Sequence, residues 1–141
     1  MPTSTASAVW NGTIGDGSGT MTMADYEGAY SVPSRFQDAE GATPEDLLAA
    51  AHAGCFSMQL SALLTRADHA PDRVETSVDV QLDKLEAGWE ITKIHLTTSA
   101  SVPGIDETTF LEFAEKAKAT CPVSKLYAGG SAEITMDATL A

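Results

Sequence analysis

The chain has 141 residues, 43% of them hydrophobic, with 8 Lys and Arg against 20 Asp and Glu, which gives a net charge of −12. This length predicts a single domain over residues 1–141 that can bury a core without disulfide or metal staples. The charge argues against a nucleic-acid partner, which needs clustered Lys and Arg, and against binding to an anionic membrane. The N-terminal segment lacks the basic and apolar regions of a secretory signal, so we expect a cytoplasmic protein.

The first third of the chain is predicted to form short extended segments. Residues 8–14 and 20–24 flank a glycine-rich turn, which is typical of a hairpin. Residues 31–36 are predicted to be a further extended piece. Because Pro33 has no N–H to donate to a sheet, that piece is expected at a sheet edge or in a loop.

A long helix is predicted to follow. Thr43 suits the N-cap, Pro44 the first turn and Glu45 the positive end of the helix dipole. Residues 47–64 then contain no charged side chain. The run is as long as a membrane span, but it contains several polar residues and has no basic flank that would support insertion. We therefore predict a helix surrounded by protein, which a chain of this size achieves when two copies pack together as a homodimer.

The remainder of the chain alternates strands with helices. Residues 74–85 and 89–102 alternate apolar and polar side chains and predict a long hairpin. Helices over 107–119 and 121–126 follow, and 132–140 is predicted to be a final strand. This order predicts an α+β fold with antiparallel strand pairing.

The two cysteines are the first candidates for chemistry. Cys55 lies within the uncharged helix, and Cys121 directly precedes Pro122 at a predicted helix start. Free cysteines are among the most buried residue types, so two inert thiols are one interpretation. The other is a redox pair, because a helix N-terminus lowers the pKa of a thiol, and a sulfenic acid condenses with a nearby second thiol. Composition leaves both interpretations open.

An activated Cys55 needs a nearby cation, because a thiol in the middle of a helix gains little from the helix dipole. Arg35 lies in the segment before the helix, and Glu45 is placed to hold its guanidinium through two hydrogen bonds. The alternative is an ordinary surface ion pair, which contributes little. Arg66 follows Cys55 by eleven positions, about 16 Å along a helix axis.

His52 shares a helix face with Cys55, which lies three positions further on. That placement permits a Cys–His nucleophile pair, or two ligands of a zinc site completed by Cys121. Zinc sites usually include closely spaced ligand pairs, and the sequence has none. We therefore predict neither a metal nor a cofactor.

Several stretches resemble the OsmC family of thiol peroxidases, and together they cover nearly the whole chain. Two motifs centred on cysteines, HAGCFSM and ATCPVSK, are the most specific and resemble the OsmC branch rather than its Ohr sister. The stretches that carry the resemblance are Arg35-Phe36, GATPEDLL at 41–48, AAAHAGCFSMQLS at 49–61, LDKLEAGWEITKIHL at 82–96, VPGID at 102–106 and KAKATCPVSKL at 116–126.

The resemblance implies an intertwined α+β homodimer, with antiparallel sheets wrapped around central helices and two active sites at the interface. Cys55 matches the peroxidatic cysteine and Cys121 the resolving cysteine. Arg35 matches the arginine that stabilises the thiolate and orients the peroxide, and Glu45 matches the carboxylate that holds this arginine.

The activity that the resemblance implies is thiol-dependent reduction of organic hydroperoxides to alcohols, in defence against oxidative and osmotic stress. An external dithiol, of the lipoyl type in this family, is the implied reductant. Two other functions remain compatible with the residues. One is a redox sensor whose thiols oxidise slowly, and the other is a structural dimer whose thiols are inert.

Overall fold

The structure, a computed structural model, describes residues 1–141 and comprises two compact units, Met1–Leu47 and Leu48–Ala141. The predicted α+β class is confirmed, and the single domain over residues 1–141 stays a prediction. The elements follow one another in this order: β1 (Ala6–Asn11), β2 (Ser18–Met23), β3 (Tyr26–Tyr30), α1 (Val32–Phe36), α2 (Pro44–Arg66), β4 (Arg73–Leu85), β5 (Gly88–Ser101), α3 (Glu107–Thr120), α4 (Pro122–Ala128) and β6 (Glu133–Leu140).

The first unit contains an antiparallel sheet in the order β1-β2-β3. The predicted hairpin is confirmed as β1 and β2. Its turn requires Gly17, because a Cβ there would collide with the Thr13 carbonyl oxygen and lie 2.8 Å from Trp10 Nε1. Trp10 also packs against Tyr30, with ring centroids 5.5 Å apart. Strand β3 was not predicted; it is short and its residues are mostly exposed.

Residues 31–36 were predicted to be extended, and this prediction was wrong, because Val32–Phe36 forms helix α1. The Ser34 N–H donates to Ser31 Oγ at 3.1 Å, and the Ser31 N–H donates to Ser34 Oγ at 2.9 Å. These reciprocal bonds satisfy two N–H groups at the start of the helix. Pro33 lies in the first turn, where its missing N–H costs nothing.

Helix α2 begins as predicted. The Asp46 N–H donates to Thr43 Oγ1 at 3.0 Å, and Asp46 Oδ2 accepts from the Thr43 N–H at 2.8 Å. Between residues 48 and 66, a buried stripe runs along one face at four-residue spacing, formed by His52, Phe56, Leu60 and Leu64. This spacing is that of neighbouring side chains on one helix face.

Another face of α2, with Ala51, Gly54 and Met58, is apolar and exposed in this chain. The helix is long and apolar enough to cross a membrane by length and composition, a test that the core helices of soluble proteins also pass. Only 22% of its most apolar 18-residue window is buried. In the predicted homodimer, a second copy of the chain would cover this exposed face.

The second sheet has the strand order β4-β5-β6. The long hairpin of β4 and β5 is antiparallel, as predicted. Antiparallel pairing was also expected for the last strand, and there the expectation was wrong, because β6 runs parallel to β5. Helices α3 and α4 form the crossover connection that parallel neighbours require, and they return the chain to the end of the sheet at which β5 begins.

The core of the second unit forms where α2, β5 and α3 pack together. Its fully buried members include Phe56 and Leu60 of α2, Leu96 of β5 and Phe110 of α3. Cys121 belongs to the same cluster, with no exposed surface in this chain. One of the two predicted redox residues is therefore fixed by the packing of the core.

Candidate active site

The two cysteines meet between α2 and α4. The sulfur atoms of Cys55 and Cys121 lie 2.7 Å apart, and both residues are free thiols. Cys121 occupies the junction between α3 and α4. There its N–H donates to the Ala117 carbonyl at 2.9 Å, and its carbonyl accepts from the Lys125 N–H at 2.9 Å. The fold thus closes a sequence gap of 66 residues and brings the thiols within disulfide-forming reach.

The surroundings of Cys55 pull its pKa in two directions. Burial raises the pKa of the Cys55 thiol, and the hydrogen bond that it shares with Cys121 raises it further. The contribution that lowers the pKa is the backbone N–H of Val123, which donates to the Cys55 sulfur from the first turn of α4. The start of this helix was predicted to lower the pKa of Cys121, whereas the N–H group found there donates to Cys55.

Arg35 and Glu45 form a bidentate ion pair within the first unit. Arg35 Nη2 donates to Glu45 Oε1 at 2.5 Å, and Arg35 Nε donates to Glu45 Oε2 at 3.2 Å. The Glu45 residue is only 8% exposed, and the Arg35 guanidinium carbon also lies 5.3 Å from the centroid of the Phe36 ring. The two hydrogen bonds and the buried carboxylate distinguish this pair from an ordinary surface ion pair.

The connection between α1 and α2 holds Arg35 in this position. Ser34 Oγ donates to the Ala42 carbonyl at 3.2 Å, and the Ala42 N–H donates to the Ala29 carbonyl at 2.9 Å. Gly41 has a φ of +129°, and a Cβ there would lie 3.0 Å from the Ser34 Cβ. The tight return of the chain therefore depends on a residue without a side chain.

The hydrogen bond that the structure gives His52 runs to α4. Its Nε2 lies 2.6 Å from Ser124 Oγ on α4, and its Nδ1 is buried with no hydrogen-bond partner. Burial lowers the pKa of His52, so its imidazole is neutral at neutral pH. No group of three or more His, Cys, Asp or Glu side chains is arranged to hold a metal ion.

Two residues on α4 contribute to the site and were missed by the sequence analysis. Ser124 bonds to His52, and the Tyr127 hydroxyl donates to the Leu48 carbonyl at 3.1 Å. The signal was their spacing, since Cys121, Ser124 and Tyr127 follow one another at three-residue intervals. This spacing places them on one helix face, as His52 and Cys55 are on α2.

Sequence comparison identifies the family. The family of OsmC-like proteins matches residues 37–137. The chain is 45% identical over 133 residues to Peroxiredoxin OsmC of Escherichia coli strain K12, covering 92% of this chain and 91% of that protein, and equally similar to Peroxiredoxin OsmC of Shigella flexneri. The chain therefore belongs to the OsmC family, as its cysteine motifs predict.

Solved structures support the same fold. An OsmC-like protein from Mycoplasma pneumoniae aligns with a TM-score of 0.79 at 18% identity, covering 99% of this chain and 97% of that one. The organic hydroperoxide resistance protein OhrB of Bacillus subtilis aligns with a TM-score of 0.70 at 24% identity, covering 95% and 97%. The α+β arrangement of this chain is thus shared across the OsmC and Ohr proteins.

Proposed function

We propose that this chain is a thiol peroxidase that reduces organic hydroperoxides to alcohols. The observation that carries the proposal is the 2.7 Å approach of Cys55 to Cys121 in a chain with no other cysteine. The 45% identity to Peroxiredoxin OsmC supports peroxide reduction as the reaction class. The expected cellular role is defence against oxidative and osmotic stress.

Cys55 is the peroxidatic residue of the proposed reaction. Its thiolate attacks one peroxide oxygen, the O–O bond breaks, and the alkoxide leaves and takes up a proton to become the alcohol. Cys55 is thereby oxidised to a sulfenic acid. The Cys121 thiol then attacks the Cys55 sulfur, so that the disulfide forms and water leaves. An external dithiol reduces this disulfide by two exchange steps and restores both thiols.

Arg35 supplies the positive charge in this mechanism. Burial raises the pKa of Cys55, so the thiolate needs a stabilising cation. A guanidinium also offsets the negative charge that develops on the leaving alkoxide. Glu45 holds the guanidinium through two hydrogen bonds and fixes its orientation before the peroxide arrives.

We further propose a homodimer, because α2 presents an uncovered apolar face. Gly54 and Met58 lie on this face, and Met58 is 77% exposed. A Cβ at Gly54 would meet no atom within 4 Å in the single chain. Light scattering should give a mass about twice 14.7 kDa for the wild type and a lower mass for Gly54→Leu. A monomeric wild-type protein would contradict this assembly.

The reductant and the compartment belong to the same proposal. A reducing cytoplasm returns the pair to the thiol state between turnovers, and two thiols on one carrier, as in a lipoyl group, suffice to reduce a disulfide. Turnover should therefore be faster with dihydrolipoamide than with an equal concentration of monothiol. Equal rates with both reductants would contradict the dithiol assignment.

The deciding experiment measures consumption of cumene hydroperoxide and of hydrogen peroxide with excess dithiol. We expect multiple turnovers, faster with the organic peroxide, and none in Cys55→Ser. Cys121→Ser should accumulate a Cys55 sulfenic acid, seen by mass as one added oxygen atom. Oxidation without turnover would instead indicate a redox sensor, and thiols that stay free under peroxide would indicate a structural role.

A further inference from the structure

The contacts between α2 and α4 form a row, which we call the α2–α4 seam (Leu48, His52 and Cys55 on α2; Cys121, Ser124 and Tyr127 on α4). It has three links in order: the Cys55–Cys121 sulfurs at 2.7 Å, His52 Nε2 to Ser124 Oγ at 2.6 Å, and the Tyr127 hydroxyl to the Leu48 carbonyl at 3.1 Å. Along this row, in the order given, residue numbers decrease on α2 and increase from Cys121 into α4. The two helices are therefore antiparallel neighbours joined by one link in each turn of α4.

The middle link is the most buried polar contact of the seam. His52 is fully buried and Ser124 is 2% exposed. The rings of Tyr127 and His52 pack in a T-shaped arrangement, with centroids 5.2 Å apart and planes at 87°. Since a buried hydrogen bond is costly to break without a replacement, this link holds one geometry.

Apart from the core packing of Cys121, few side-chain hydrogen bonds fix the start of helix α4. It is seven residues long, too short to be stable alone, and Cys121 at its N-cap makes no side-chain capping bond. A second polar contact beside the thiols joins Gln59 Nε2 to Thr120 Oγ1 at 2.9 Å, but it is exposed to solvent. Core packing holds Cys121 itself, and the buried links that follow it hold the rest of α4, and with it the first turn beside Cys55, against α2.

We propose that His52 and Ser124 are positioning residues that hold Cys121 against Cys55, and that their hydrogen bond sets how fast the Cys55 sulfenic acid is converted to the disulfide. This inference rests on the proposed function for its place in the reaction. Without the bond, the sulfenic acid persists and meets a second hydroperoxide. That reaction oxidises the sulfenic acid to a sulfinic acid and reduces the second hydroperoxide to an alcohol, which ends the cycle.

The first test measures how readily the thiols pair, without any peroxide. Oxidised glutathione converts the two thiols to the disulfide and releases two molecules of reduced glutathione, so the equilibrium constant reports how well the sulfurs are held together. Ser124→Ala and His52→Leu should each lower this constant about tenfold, the factor expected for one buried hydrogen bond. His52→Gln, which keeps a donor on the side chain, should recover much of it.

A double-mutant cycle separates this role from general loss of stability. If the two residues act through one bond, Ser124→Ala combined with His52→Leu should cost no more than either change alone. Ile94→Val removes one methyl group from the core and serves as the control for a small loss of stability, with the glutathione constant unchanged. Gln59→Ala, which breaks the exposed contact, should change the constant less than about twofold.

The second test follows Cys55 by quenched-flow mass spectrometry after addition of cumene hydroperoxide. In Ser124→Ala, disulfide formation should slow about tenfold relative to loss of the Cys55 thiol, and the sulfinic acid should appear at about tenfold lower peroxide than in the wild type. An unchanged glutathione constant in both single variants would overturn the positioning role. A wild-type protein that does not react with peroxide would overturn the proposed function instead. The glutathione experiment would still decide the role of the His52–Ser124 hydrogen bond.

Discussion

The thiol pair and the charged pair are assembled by different means. Cys55 and Cys121 are 66 positions apart and meet in a buried seam between two helices. Arg35 and Glu45 are ten positions apart and meet through a tight connection that depends on Gly41. The seam brings the sulfurs together, and burial there raises the pKa of Cys55, whereas the charged pair holds a guanidinium in one orientation. Disulfide formation and peroxide attack should therefore be separable by mutation.

Removal of the cation should have the largest effect. Arg35→Ala is expected to lower peroxide turnover by about 10²–10³-fold, because the alkoxide loses its stabilising charge. The apparent pKa of Cys55, followed by the pH dependence of iodoacetamide alkylation, should rise in the same variant. Pairing of the thiols by oxidised glutathione should be unchanged.

Arg66→Ala is the matched control, since Arg66 is an exposed arginine at the end of the same helix that carries Cys55. It should leave both turnover and the alkylation profile at wild-type values. Equal losses in Arg35→Ala and Arg66→Ala would mean that net charge, rather than a positioned guanidinium, activates the thiol.

Loss of the carboxylate charge should have a smaller effect. Glu45→Gln keeps a hydrogen-bond acceptor for Arg35 but weakens the charge-assisted pair, so turnover should fall about tenfold. Chemical denaturation should show a loss of about 1–2 kcal/mol, because one partner of the pair is buried and the other is partly exposed. Full activity in this variant would show that Arg35 does not need to be held.

Acid should destabilise the protein through His52. Burial holds the pKa of His52 below its ordinary value near 6.5. Between these two values the unfolded chain binds a proton that the folded chain does not, so stability is retained above about pH 6.5 and falls as pH drops. Through this residue, the free energy of unfolding should decrease by up to about 1.4 kcal/mol for each pH unit.

The pH dependence is measured by urea unfolding of the wild type and of His52→Gln between neutral pH and pH 5. The variant should show the shallower decline, because its side chain does not titrate. Parallel curves for the two proteins would mean that the buried imidazole takes up its proton as readily as it does in the unfolded chain.

The smallest effect is expected at Gly54. Its missing Cβ faces open space in the single chain, and glycine within a helix is less stable than alanine by about 0.5–1 kcal/mol. Gly54→Ala should therefore raise the free energy of unfolding by that amount and leave turnover unchanged. A loss of stability would show that the partner chain of the proposed dimer leaves no room for a methyl group at this position.

Features encoded locally could be predicted from the sequence. Thr43 and Asp46 mark the start of α2, and alternating side chains indicate β4 and β5. The cysteine motifs indicate the family. The direction of β6 could not be predicted, because it depends on how α3 and α4 cross the sheet. The bond between His52 and Ser124 was hidden for the same reason, since packing joins residues 72 positions apart.

The parallel pairing of β5 and β6 has a consequence for synthesis on the ribosome. Cys121 lies in the connection between these strands, and the connection is closed only when β6 joins the sheet. A nascent chain exposes Cys55 long before residues 133–140 emerge from the exit tunnel. Until Cys121 and α4 have emerged as well, the thiol of Cys55 has no partner within the chain. The two thiols can therefore meet only late in synthesis, once four fifths of the chain has been made.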